Sequence, residues 1–177
     1  MILSGPDLRA VLDAGAVADE NPVDTDLVSV TLHLGPEFVR YVLPAGPVRP
    51  PAEVPVEPVP LDGQGGFVLE PGAAVLAASH ERVSMPLDCM GWVQTKGSVA
   101  RGFLMAQCSD AQVDPGFQGT ITLEIVNVGP LRLRLDPGLP IASLFFLQLS
   151  HAVPEGYKGR YQGAAGPTWM RPTTPSS

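Results

Sequence analysis

Residues 113–141 read VDPGFQGTITLEIVNVGPLRLRLDPGLPI and hold the clearest fold signal in the chain. Within them, residues 120–128 place alternate side chains on two faces, which is the period of a β-strand. Turn sequences flank this strand and the next one, residues 131–135. They are Asp-Pro-Gly at 114–116 and 136–138 and Gly-Pro at 129–130. Short strands separated by such turns predict an all-β barrel or sandwich.

The same pattern of strand and turn continues outward along the chain. Gly35-Pro36 is expected to end the first strand. Residues 44–60 carry seven prolines, and because proline cannot donate to a strand ladder, we predict an extended arm or edge loop there. Further strands are predicted at residues 28–34, 38–43, 67–70, 74–83, 91–95 and 141–149.

One helix is predicted, close to the N-terminus. Ser4 is placed to cap it, Pro6 suits its first turn, and Gly15 is a suitable stop. The chain has 177 residues, of which 45% are hydrophobic and 16% charged, which excludes disorder over most of its length. We expect a single domain over residues 1–172 and a flexible tail over 173–177.

Charge and targeting signals exclude several classes of partner. The formal net charge of -7 disfavours binding to nucleic acid or to an anionic membrane. The first residues lack the basic and apolar regions of a secretory signal, and no apolar run is long enough to span a bilayer. We therefore expect a cytoplasmic protein in which Cys89 and Cys108 are reduced thiols in the core.

The histidines and cysteines do not have the spacing of a metal site. A zinc-dependent base deaminase needs an H-x-E … P-C-x-x-C arrangement, whereas here His80 directly precedes Glu81 and no C-x-x-C occurs. His33 and His151 have no partner at metal-ligand spacing. We predict no metal ligands and no zinc, and the chain has no G-x-S-x-G nucleophile turn.

Glu124 is the most informative acidic residue. It shares a strand face with Thr122, opposite the apolar face of the same strand. It is either a solvated carboxylate or, if that face is enclosed, a general acid/base. Asp114 lies in a turn, where aspartate commonly caps its own loop.

Cations are scarce, and two of them bracket one short run, residues 96–101. Lys96 and Arg101 flank Gly97-Ser98, a small pair that lets backbone amides and a hydroxyl approach a phosphate. The C-terminal part of the chain supplies Lys158, Arg160 and Arg171.

Longer stretches resemble the dCTP deaminase branch of the dUTPase-like superfamily. The resemblance covers nearly the whole chain and has no gap between Lys96 and Glu124. It rests on KGSVAR at 96–101, VDPGFQG at 113–119, TLEIVN at 122–127, LDPGLPI at 135–141 and YKGRYQG at 157–163, and on MILS at 1–4 and SVTLHLG at 29–35.

The resemblance implies a mainly β fold, a distorted jelly-roll barrel of the dUTPase-like type with a short N-terminal helix. It implies a homotrimer with active sites shared between subunits and a C-terminal lid over residues 156–172. The implied reaction is hydrolytic deamination of dCTP, or of a close cytosine nucleotide, to dUTP and ammonia. The chemical step needs no metal, and Mg²⁺ accompanies the nucleotide triphosphate.

The resemblance also assigns roles to residues. The catalytic glutamate falls on Glu124, which would take a proton from water and pass one to the ring, and the essential arginine falls on Arg101. The substrate contacts fall on Lys96, Gly97, Ser98, Asp110, Asp114, Thr122, Tyr157, Arg160 and Ala164.

Several positions depart from the family pattern. Lys96-Gly97-Ser98 replaces Arg-Ser-Ser, Asp110 replaces a small residue, Ala164 replaces a glutamine, and Thr31 replaces an aspartate. Two alternatives therefore stay open: a dUTP diphosphatase, alone or combined with deamination, and an inactive nucleotide-binding regulator. Phe117, where dUTPases usually have a tyrosine, counts against the diphosphatase.

Overall fold

The computed structural model describes residues 1–172, so the expected tail at 173–177 lies outside the described residues. β-Strands dominate the described part, as the sequence predicts. The elements, in chain order, are α1 (Gly5–Asp13), β1 (Val17–Ala18), β2 (Val30–Tyr41), β3 (Val56–Pro58), β4 (Phe67–Leu69), β5 (Ala74–Ser84), β6 (Cys89–Thr95), α2 (Gly97–Ala100), β7 (Leu104–Met105), β8 (Gln112–Val113), β9 (Gln118–Asn127), β10 (Leu133–Leu135) and β11 (Pro140–Gln148).

A nine-stranded antiparallel sheet curls into a half-barrel. Its main path runs β7-β9-β5-β2-β11-β6-β8, with β1 paired to β5 and β3 paired to β2. Strands β4 and β10 form a separate two-stranded sheet. The predicted mainly β fold with a short N-terminal helix is confirmed.

Strand β9 places its apolar face in the core. Leu123 and Ile125 are fully buried and Ile121 is 8% exposed, whereas Thr122 and Glu124 on the other face are half-buried. Burying apolar side chains contributes about 25 cal/mol per Å², so this pattern fixes which face of β9 is turned inward. A shift of one residue would turn Glu124 into the core.

The proline-rich segment contains a short edge strand, β3, where the sequence predicts an extended arm or edge loop. Residues of β3 pair with Val39, Arg40 and Tyr41 of β2 and have no second strand neighbour among the described residues. The prediction that Gly35-Pro36 ends a strand is wrong, because β2 runs through it. The register with β5 shifts between Leu34 and Phe38, and such an irregularity accommodates proline.

Helix α1 begins after Ser4, although the Ser4 side chain makes no capping hydrogen bond. Gly15 follows the helix at φ +87°, a conformation that favours glycine. Sequence periodicity missed β1, β3, β7, β8 and the single turn α2, since two to four residues carry no period. Among residues 1–172, no helix combines the length and apolar character needed to cross a bilayer.

The two cysteines are both free but lie in different surroundings. Cys89 is buried, whereas Cys108 is exposed, so the expectation that both lie in the core is wrong for Cys108. Burial, followed by the neighbouring Asp88 charge, raises the pKa of the Cys89 thiol to about 11.

Candidate functional site

A cavity of about 310 Å³ lies between the polar face of β9 and the C-terminal segment. Strand β9 supplies its wall because every second side chain points away from the core. Of the residues that the sequence assigns to the site, six line this cavity: Asp110, Asp114, Thr122, Glu124, Tyr157 and Ala164. Glu124 therefore lies on an enclosed face rather than on open surface.

Glu124 is held by Ser109, a residue that the sequence analysis did not single out. The Ser109 hydroxyl donates to Glu124 Oε2 at 2.7 Å, and its backbone N–H donates to the same oxygen at 2.9 Å. Ser109 belongs to the loop between β7 and β8. No periodic signal marks a loop contact of this kind, because it depends on tertiary structure.

The cavity is acidic. Asp110, Asp114 and Glu124 line it, and none of its described lining residues is a lysine or arginine. Asp110 Oδ1 accepts the Gln112 backbone N–H at 3.2 Å, and the Gln112 side chain donates to Asp114 Oδ1. Such a wall favours a ligand edge that donates hydrogen bonds or gains positive charge.

The C-terminal segment lies against β9 and closes one side of the cavity. Thr168 donates its backbone N–H to Thr122 Oγ1 at 3.0 Å, and the two hydroxyls are 2.7 Å apart. The Met170 backbone N–H donates to the Tyr41 hydroxyl at 2.8 Å. The hydroxyl of Thr122 is thus already hydrogen-bonded to the segment that covers it.

Gly119 allows this segment to approach β9. It pairs with Ala164 in a parallel bridge, and the neighbouring Thr120 donates its backbone N–H to the Ala164 carbonyl at 2.9 Å. Gly119 has φ +148°, and a Cβ there would lie 2.8 Å from both the nitrogen and the oxygen of Ala164. A larger residue would meet both backbone strain and backbone atoms.

A second cavity of about 300 Å³ adjoins the first and has the opposite charge. Arg160 and Arg171 line it, and no acidic side chain does so among the described residues. The two cavities share Tyr161, Ala164 and Thr168. Arg160 Nη1 donates to the Arg171 carbonyl, and the Arg171 guanidinium lies 5.0 Å from the centre of the Trp169 ring.

The predicted phosphate-binding run, residues 96–101, lies elsewhere. Lys96, Gly97, Ser98 and Arg101 line neither of these two cavities. Lys96 Nζ donates to Asp26 Oδ2 at 2.7 Å and to the Thr31 hydroxyl at 2.8 Å. Within one chain, the structure therefore does not bring this run together with Glu124.

Gly97, Ser98 and Arg101 are exposed, and apolar side chains lie beside them. Arg101 Nη1 donates to the Gly97 carbonyl at 2.7 Å. Phe103, Val128 and Leu131 are each more than half exposed. Phe103 also has φ +59°, an uncommon conformation for a bulky residue and a mark of functional sites.

The strongest charge pairing lies away from both cavities. Arg134 Nη2 lies 2.8 Å from Asp136 Oδ1, and Arg134 also pairs with Asp62. Hydrogen bonds from Arg134 hold the pKa of Asp62 well below its ordinary value. Among residues 1–172, no three histidine, cysteine, aspartate or glutamate side chains are grouped so as to hold a metal ion.

Comparison with known proteins gives consistent matches. The model of the family described as dCTP deaminase-like matches residues 2–149. The dUMP-forming dCTP deaminase of Streptomyces griseus is 35% identical over 97% of this chain and 95% of its own. The dCTP deaminase of Haloarcula marismortui is 34% identical over 94% of this chain and 92% of its own.

Solved structures show a similar fold. The 2'-deoxycytidine 5'-triphosphate deaminase of Agrobacterium tumefaciens superimposes with a TM-score of 0.65 and 21% identity over 86% of this chain, which spans about half (49%) of that longer chain. The EIAV dUTPase gives a TM-score of 0.53 and 16% identity, covering 82% of this chain and 97% of its own. The fold is that of the dUTPase-like proteins.

Proposed function

The chain belongs to the dCTP deaminase-like family, and from that premise we propose that it converts dCTP and two waters to dUMP, ammonia and pyrophosphate. The name of the Streptomyces griseus relative specifies dUMP as the product. The relative from Thermobifida fusca, 36% identical, has the same name. The proposal thus replaces dUTP, the end product expected from the sequence, with dUMP, and it favours the combined deaminase and diphosphatase.

The observation that carries the proposal is the pair of adjoining cavities with opposite charge. A cytosine nucleotide has the matching polarity, since its exocyclic amine donates hydrogen bonds while its triphosphate is strongly anionic. The acidic cavity beside Glu124 suits the base, and the cavity lined by Arg160 and Arg171 suits the phosphates. The shared wall at Ala164 would then lie near the sugar.

In the deamination step, water attacks C4 of cytosine. Glu124 takes a proton from that water and delivers it to N3. The proton left on the new C4 hydroxyl then passes to the amine, the C4–N bond breaks, and ammonia leaves as the C4 carbonyl forms. The carboxylates of Asp110 and Asp114 line the same cavity and favour the positive charge that the ring gains on protonation. Thr122, two residues from Glu124 on the same face, is placed to contact the ring.

In the second step, water attacks the α-phosphorus of dUTP, and the bond to the β-phosphate oxygen breaks. We assign Asp114 to the positioning of this water. Mg²⁺ would enter as part of the nucleotide substrate and offset phosphate charge. Tyr157 packs its ring edge-on to Phe117 at 5.9 Å and would support the nucleotide from the C-terminal segment.

The proposal includes a homotrimer with shared sites, in which Ser98 and Arg101 of one copy complete the cavity of the next. Two observations support it. Both residues are exposed and absent from the lining of the cavity in their own chain, and the exposed apolar groups around Phe103 offer a surface for a second copy. Sedimentation should give three times the chain mass of 18.6 kDa, and a monomer at micromolar concentration would contradict shared sites.

Product chromatography tests the function directly. Purified protein with Mg²⁺ is incubated separately with dCTP, CTP, dCMP and dUTP. We expect dUMP and pyrophosphate from dCTP. Accumulation of dUTP alone would remove the diphosphatase step, and nucleotide binding without any product would favour the regulator instead.

The proposal also places the protein in the cytoplasm, together with its nucleotide substrate.

A further inference from the structure

We infer that Ser109 is a positioning residue for the acid/base chemistry of Glu124, an inference that rests on the proposed function. Its hydroxyl and its backbone N–H both donate to Glu124 Oε2, at 2.7 and 2.9 Å. These are the hydrogen bonds that Glu124 makes within residues 1–172. One carboxylate oxygen is thus held by two donors, and Oε1 keeps its acceptor capacity for a water in the cavity.

This division between the two oxygens matters for the reaction. The acid/base must face the attacking water and then the ring nitrogen, and a carboxylate that rotates freely spends little time in that orientation. Two donors on Oε2 fix both the torsion of the side chain and the oxygen that remains available. Hydrogen bonds to a charged group are stronger than those between neutral groups, and two of them on one oxygen favour a single orientation.

The loop that carries Ser109 is anchored at both ends. Before it, Ala106 donates its backbone N–H to the Thr95 hydroxyl at 2.9 Å. After it, Asp110 accepts the backbone N–H of Gln112. Because the residues on either side of the serine, Cys108 and Asp110, are exposed, burial does not hold this part of the loop in place. The contact with Glu124 therefore couples the loop to the acid/base.

Three substitutions separate a positioning role from a general structural one. Ser109→Ala removes the hydroxyl and leaves the backbone donor. Ser109→Thr keeps a hydroxyl at the same atom. Cys108→Ala is the matched control, since it changes the adjacent residue on the same exposed loop.

We expect Ser109→Ala to lower kcat for dCTP deamination by about 10- to 100-fold, the effect of losing one hydrogen bond to a charged group. KM for dCTP should change less than about threefold, because the hydroxyl orients Glu124 rather than binding nucleotide. Ser109→Thr should recover most of the loss, and Cys108→Ala should match the unchanged protein. An unchanged kcat in Ser109→Ala, or a threonine variant as slow as the alanine variant, overturns the inference.

A second measurement does not depend on turnover. The ¹³C resonance of the Glu124 side-chain carboxyl, assigned by comparison with Glu124→Gln, should move in Ser109→Ala and stay in place in Cys108→Ala. A resonance that does not respond to Ser109→Ala contradicts the contact itself. If the unchanged protein turns over none of the nucleotides, the proposed function fails alone, and this resonance still decides whether Ser109 positions Glu124.

Discussion

The cavity at β9 and the turn α2 were expected to form one site, yet they differ in almost every physical respect. The cavity is partly enclosed, acidic and bordered by a segment hydrogen-bonded to its wall, whereas α2 and the residue after it present Gly97, Ser98 and Arg101 to solvent. The turn region carries a cation, Arg101, of a kind that the described lining of the cavity lacks. Under the proposed function, these two regions would be complementary halves of a site completed between copies.

The largest change, a loss of deamination rate, is expected on substitution of Glu124. Glu124→Gln keeps the shape of the side chain but cannot take a proton, so deamination should slow at least about 100-fold while dCTP binding is retained. The matched control is Glu53→Gln, at an exposed glutamate in the proline-rich segment. Rapid-quench kinetics and a binding titration measure the two quantities. A variant that keeps most of its rate would remove Glu124 from the mechanism.

The next experiment tests whether the two regions meet between copies. Glu124→Gln and Arg101→Ala should each be inactive alone, and mixing the unfolded chains and refolding them together should restore activity at about one quarter of the sites, by random assembly. Shared sites predict this recovery because one copy supplies Glu124 and its neighbour Arg101. Separately refolded chains that are never mixed are the control. Absence of recovery in mixed trimers would show that the two regions do not meet between copies.

A smaller effect, on dCTP affinity, is expected in the second cavity, which Arg160 and Arg171 line. Arg160→Ala and Arg171→Ala should each weaken dCTP binding by about tenfold, the cost of one charge-assisted hydrogen bond to phosphate. Binding of deoxycytidine, which lacks phosphates, should not change. Arg49→Ala, at an exposed arginine outside both cavities, is the control. Equal losses for nucleoside and nucleotide would place these guanidiniums outside the phosphate site.

The smallest effect is expected far from both regions, at the Arg134 pairs. The lowered pKa of Asp62 means that its ionised form stabilises the folded state at pH values above its ordinary pKa of 3.8 and that this contribution fades as pH falls below it. Asp62→Asn should therefore lower the unfolding temperature at pH 7 and lower it less at pH 3, where the contribution of the ionised form has begun to fade. Both changes should be small because the pair is exposed. Turnover of dCTP at pH 7 should not change. A larger loss at pH 3 than at pH 7 would contradict this linkage.

The sequence predicted the strands well where period and turn chemistry were both present. The alternation around Leu123 placed Glu124 on the correct face, and the prolines of 44–60 marked an edge. It failed where structure depends on distant partners. Gly35-Pro36 sits inside β2 because a register shift accommodates it, and no local signal reports such pairing.

The site residues show the same division between those predicted from local pattern and those that depend on distant contacts. Six of the predicted residues share the cavity, because strand β9, the two loops that flank β8 and the C-terminal segment carry them all. Ser109 was missed because its role depends on a contact across fifteen residues. The separation of Arg101 from Glu124 within one chain could not be predicted from the motifs, because a motif records neighbours in sequence and not distances in the fold.

Because Ala164 approaches Gly119 closely, the residue allowed at position 119 depends on where the C-terminal segment lies, although the two segments are far apart in sequence. Any lineage that keeps its C-terminal segment in this place is constrained to a residue without a side chain at position 119. A lineage that lost the segment would be released from the steric part of that constraint, and only the backbone conformation would still select glycine. A residue with a side chain at position 119 would therefore indicate that the C-terminal segment no longer approaches β9 in this way, whereas glycine there is compatible with either arrangement.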